Sequence, residues 1–123
     1  MEFYATADVR TDALELQRRL SIATLPQWCA SIDKVLGDEG SRGEIYCVWG
    51  TFRVHREDLR DGVRFTLPGC PNALQWTVTT GQPPDPHTVV VHLTINRVEH
   101  DADFIASNEQ FVADWRAGLV AHW

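Results

Sequence analysis

His92, Glu99, His100, Asp101 and Asp103 are the densest run of groups in this chain able to hold a proton or a cation. His100 with Asp101 and Asp103 could bind a hard or borderline cation, and His92 could join if the strand end curls back. The spacing follows no metal-ligand pattern, and carboxylates gather before a helix because they favour the positive end of its dipole. The cluster therefore reads as an acidic turn, and no metal is expected. The chain has no Gly-x-Ser-x-Gly elbow, no His-Glu-x-x-His pair and no phosphate loop. His55 is flanked by Arg53 and Arg56, but on a strand Arg53 and His55 share the face opposite Phe52 and Val54. That face is solvated, a poor place for a general base. Gly37, Gly40 and Gly43 surround Asp38 and Glu39 without a lysine, so they read as a solvated turn rather than a phosphate cradle. No cofactor is expected.

The aromatic side chains carry the stronger signal. Phe65, Trp76, Phe111 and Trp115 would converge between a sheet and a helix, with Trp28 as a lid from a second helix. Such rings either fill a core or line a pocket, since both use the same side chains. If a pocket is there, Arg56 and Arg97 share the inward parity at strand ends. An arginine at its mouth would select a carboxylate or phosphate on an apolar ligand.

The elements that must position these rings follow from periodicity. Val89, Val91, Leu93 and Ile95 share one face of a strand over Thr88–Arg97. Phe111, Trp115, Leu119 and His122 form one stripe of a terminal helix, which the pair Ser107 and Gln110 would cap. Glu2–Asp8 alternates as a first strand. A helix over Asp12–Leu20, capped by Thr11 or Asp8, buries Ala13, Leu16 and Leu20. A shorter helix opens at Thr24 with Gln27 as its box partner and Pro26 in its first turn, and carries Trp28 and Ile32. Glu44–Trp49, Phe52–Arg56, Val63–Leu67 and Leu74–Thr80 each alternate. Asp61-Gly62 and Pro68-Gly69 supply turns, and Gly50 marks a bulge or a tight hairpin. Gln82–Pro86 is a stiff connector. The expected fold is α+β: a curved antiparallel sheet of about six strands around a long C-terminal helix, with two short helices after the first strand.

Composition narrows the partners. The 123 residues suit one domain over 1–123, and 11 basic against 17 acidic side chains give a net charge of −6 with no basic run. Nucleic acid and anionic membranes both need a positive footprint, so neither is an expected partner. No apolar run is long enough to cross a bilayer. Cys29, Cys47 and Cys70 are odd in number and lack knuckle or redox spacing, which reads as three buried, reduced thiols in a cytoplasmic protein.

With these motifs in place, the chain resembles the START-like helix-grip superfamily, and within it proteins similar to the C-terminal domain of the heat-shock protein 90 ATPase activator. Leu20, Leu25 and Trp28 stand as the recognisable members of that family's Leu-Thr-x-Pro-x-x-Leu-x-x-Trp type segment, and Trp115-Arg116-Ala117-Gly118-Leu119 matches its Trp-x-x-x-Leu helix. The resemblance implies a hydrophobic small molecule held between sheet and terminal helix, with Trp28, Phe65, Trp76, Arg97, Phe111 and Trp115 as ligand contacts. An enzyme of polyketide cyclase or hydrolase type would need an inward acid–base pair, and none stands out. A chaperone-regulatory role, or a homodimer rather than a monomer, would use the outer sheet face around Val90, His92 and Thr94, a small patch.

Overall fold

Alternating apolar residues build one curved antiparallel sheet of seven strands. The strands are β1 (Glu2–Ala7), β2 (Ile32–Asp38), β3 (Arg42–Cys47), β4 (Gly50–Leu59), β5 (Gly62–Thr66), β6 (Gln75–Thr80) and β7 (Val89–Thr94). Their spatial order is β1-β7-β6-β5-β4-β3-β2. The structure is a computed structural model and describes residues 1–81, 83, 85–96 and 99–123. Gln82, Pro84, Arg97 and Val98 lie outside the described residues. With them go part of the expected connector, the end of the expected last strand, and the nominated ligand contact Arg97.

Register puts one side chain from each of five strands, β1, β7, β6, β5 and β4, into a row across the inner face. Phe3 faces Leu93, Leu93 faces Trp76, Trp76 faces Phe65, and Phe65 faces Arg56. A second row runs Ala5, Val91, Val78, Val63. A sheet with one continuous apolar face requires a cover. Three helices supply it: α1 (Ala13–Arg19) on β5 and β6, α2 (Leu25–Trp28) beside β2, and α3 (Ala102–His122) over β1 and β7 and against α2.

Several expected boundaries move. Asp12, not Thr11 or Asp8, caps α1, accepting from Glu15 N at 2.9 Å. The Thr24–Gln27 box does not form. Thr24 Oγ1 instead accepts from Ser21 N and from Trp28 Nε1, each at 3.1 Å. The chain leaves the helix after Trp28, so Ile32 begins a strand rather than ending a helix. That strand, β2, makes the sheet seven-stranded, and it went unrecognised because two register shifts break its alternation. The supposed glycine turn shrinks to residues 39–41, with Gly40 N donating to Asp38 Oδ1 at 2.8 Å.

Helix α3 starts at Ala102, not Ser107. Asp101 Oδ2 caps it by accepting from Asp103 N, while the Ser107 hydroxyl lies inside the helix and donates to Phe104 O at 2.6 Å. Its buried stripe is Asn108, Phe111, Trp115 and Leu119. His122 is exposed, and Trp123 packs inward against Trp28 in its place. Gly118 lets α3 close on α2, for a Cβ there would collide with the Trp28 carbonyl. At Gly50 the hairpin alternative holds. Cys47 faces Gly50, whose φ is 115°, leaving Val48 and Trp49 as a two-residue connection.

Candidate functional site

Because Phe65 and Trp76 are cross-strand neighbours, their rings stack with centroids 5.2 Å apart. The inner stripe of α3 lowers two more rings onto them. Phe111 meets Trp76 edge-on at 4.9 Å, and Trp115 lies 6.2 Å from Phe65 and 6.5 Å from Trp76. All four are at most 1% exposed. Offset and edge-on pairs at these separations add roughly 0.5–1.5 kcal/mol each beyond their area. Four of the nominated residues therefore meet, and in this structure their rings fill the space between sheet and helix. Trp28 is also buried, but its ring neighbour is Trp123 at 5.4 Å, at the α2–α3 junction.

Trp49 and Phe104, which strand and helix parity do not place among the inner rings, extend the cluster. Trp49 lies 4.9 Å from Phe111 and 6.3 Å from Phe104, and its Nε1 donates to Ser107 Oγ at 2.8 Å. Both are only partly buried. Rings thus run unbroken from half-exposed Trp49 through Phe111 and Trp76 to Phe65. A tryptophan beside a glycine at a break in alternation was the available signal.

Polar groups inside this cluster are few. Trp76 Nε1, Trp115 Nε1 and Asn108 Oδ1 are buried with no hydrogen-bond partner among the described residues. Asn108 is fully buried, and its Nδ2 donates to Phe104 O at 2.8 Å. An unpaired buried donor or acceptor costs about 1–3 kcal/mol. His100 Nε2 is likewise unpaired, next to residues outside the described set.

The groups weighed for chemistry lie elsewhere. His92 is on the outer face, stacked on Tyr4 at 4.3 Å, with Nε2 3.0 Å from Glu2 Oε1. Among the described residues no three His, Cys, Asp or Glu side chains gather as metal ligands. Arg53 and His55 line an outer cleft of about 410 Å³ with Arg42 and Glu44. Arg56 does point inward, but it clamps α1. Nε donates to Leu20 O and Nη2 to Gln17 O, both at 2.6 Å. Burial pushes the Cys29 and Cys47 thiols well above and above their ordinary values, respectively, which leaves both poor nucleophiles. Cys70 is half-buried rather than buried.

No family model and no curated protein matches the chain. Solved structures do. Over 98% of this chain it superposes on 93% of the protein XoxI from Bacillus cereus (TM-score 0.66, 16% identity). An uncharacterized protein from Bacillus thuringiensis matches over 98% of this chain and 99% of its own (TM-score 0.61, 12% identity). A START superfamily protein from Mycobacterium smegmatis matches over 98% and 94% (TM-score 0.61, 10% identity). The chain has a START-like α+β fold.

Proposed function

We propose that this chain is a single START-like domain that binds an apolar, ring-containing small molecule between the inner face of the sheet and α3. The observation that carries the reading is the unbroken run of rings from Trp49 and Phe104 to Phe65. It offers a flat ligand stacking partners at every step inward. Entry exchanges ring–ring contacts for ring–ligand contacts and needs α3 or the Val48–Trp49 turn to shift. The contacts are Phe65, Trp76, Phe111 and Trp115. Binding is favoured over cyclase or hydrolase chemistry because the polar side chain buried among the four rings, Asn108, is an amide that neither gives up nor takes a proton. Kinship to the heat-shock protein 90 ATPase-activator domain belongs to the same proposal. It is supported by the burial of Leu20, Leu25, Trp28, Trp115 and Leu119.

A panel of fatty acids, sterols and polycyclic aromatic polyketides, followed by tryptophan emission and thermal unfolding, tests the reading. A true ligand at a hundred times its Kd raises stability by about 2.7 kcal/mol. Melting temperature and emission that stay fixed across the panel would overturn it.

A further inference from the structure

We infer that Trp76, Trp115 and Asn108 set the polarity of that ligand: a fused-ring molecule with a carbonyl-type acceptor for the indole N–H groups and a hydroxyl or N–H donor for the Asn108 oxygen. The inference rests on the binding site proposed above. It starts from a contrast among the tryptophans. Trp28 Nε1 has Thr24 Oγ1 and Trp49 Nε1 has Ser107 Oγ, so these two indoles outside the four-ring cluster are paired. Trp76 Nε1 and Trp115 Nε1, in the interior, have no partner among the described residues. Buried indoles ordinarily find one.

Placement makes the three groups one recognition set. Trp76 on β6 and Trp115 on α3 lie with ring centroids 6.5 Å apart and planes inclined by 54°, so one acceptor admitted as the rings part can draw on a donor from the sheet and a donor from the helix. Asn108 lies on the same buried stripe as Trp115. Two helical turns separate them, about 10 Å along the axis, the span of a two- or three-ring skeleton. The Asn108 Nδ2 bond to Phe104 O orients the amide with its oxygen left over. A plain hydrocarbon would leave all three groups unpaired, and an ionised fatty acid would offer no donor to the Asn108 oxygen. A hydroxylated aromatic ketone satisfies them, and discrimination against the analogue lacking those groups follows from the orphans it would leave.

Three probes of one shape separate the possibilities: fluorene, 9-fluorenone and 2-hydroxy-9-fluorenone, titrated into the full chain while the indole N–H signals are followed by ¹⁵N–¹H NMR. Fluorenone should bind about tenfold or more tightly than fluorene, with the Trp76 and Trp115 N–H signals moving and those of Trp28 and Trp49 still. The hydroxylated probe should gain further, and lose that gain in Asn108→Leu. Trp76→Phe and Trp115→Phe should bring the fluorenone-to-fluorene affinity ratio to about one, whatever the lost ring area costs both probes. Equal affinity of fluorene and fluorenone overturns this inference and leaves the binding site standing. Binding of none overturns both. A resident water cross-peak at either indole N–H in the free protein also overturns it, and needs no variant to fold.

Discussion

Trp49 Nε1 donates to Ser107 Oγ across 2.8 Å, which ties the β3–β4 turn to the second turn of α3. The same hydroxyl donates to Phe104 O, so one serine holds the indole while staying anchored to its own helix. The bond is local, yet it closes the outer end of the ring run. Ser107→Ala should cost about 1 kcal/mol, the usual net worth of a partly buried hydrogen bond. Trp49→Phe should cost somewhat more, because ring area goes as well. The double variant should show a coupling energy of about 1 kcal/mol in urea unfolding. Strictly additive effects would mean the contact does not exist in solution.

Arg56 holds α1 to the sheet as a structural clamp. Its guanidinium caps the C-terminal carbonyls of α1 at Gln17 and Leu20, where a cation also meets the negative end of the helix dipole. Charge-assisted bonds of this kind contribute about 1.5–3 kcal/mol each, so Arg56→Ala should cost about 3 kcal/mol or more. Lysine cannot span both carbonyls, and Arg56→Lys should recover only part. Asp58, at 2.9 Å from Nη1, is exposed, so Asp58→Ala should cost less than about 0.5 kcal/mol. A loss of ligand response in Arg56→Lys at unchanged stability would reverse this assignment.

The strands that alternate cleanly were legible. Val89, Val91, Leu93 and Ile95 on one face, and Val63, Phe65, Trp76 and Val78 on theirs, pack as their parity dictates. So were the four core rings, since period two and period 3.6 place them on facing surfaces. What escaped was irregular. In β2 two register shifts scramble the period between Ile32 and Gly37. The start of α3 was misread because Asp101 and Ser107 are equally good caps by type, and only the chain's path decides between them. Trp49 sits in a turn, where no period exists to reveal what its ring touches. The unpaired indoles lie beyond any sequence signal, because partnership is a property of three-dimensional neighbours.

Gly118 gives a sharp sign test. In a free helix Gly→Ala gains about 1 kcal/mol. Here a methyl would strike the Trp28 carbonyl, and backbone cannot rotate aside as a side chain would. Gly118→Ala should therefore destabilise, by about 3 kcal/mol if α3 must back away from α2. The Trp28–Trp123 contact should loosen with it, visible as a red shift in tryptophan emission. Ala117→Gly next door serves as the control, costing only about 1 kcal/mol from propensity. Stabilisation by Gly118→Ala would show that α2 and α3 do not approach as described.

Alkaline pH should loosen the fold through its buried thiols. Burial raises Cys29 strongly, and Cys47 in the same direction, while the unfolded chain releases these protons near pH 8.5. Above that point the folded state holds more protons than the unfolded one, so stability falls as pH rises; below it the contribution is fully present. The Cys29 thiol steepens the fall by up to about 1.4 kcal/mol per pH unit, and Cys47 adds to it in the same direction. Glu15 and Glu57 act oppositely at the acid end. Hydrogen bonds from Arg18 and Arg64 lower them, so their small contribution is present above about pH 4.3 and lost as pH drops. Urea unfolding of the wild type and Cys29→Ala between pH 7.5 and 10 separates the thiol from other titrations. The variant should show the shallower decline, and Cys70 should react with a thiol reagent well before Cys29. Parallel declines in the two proteins would remove Cys29 as the cause, for then its proton leaves the folded and unfolded chains alike.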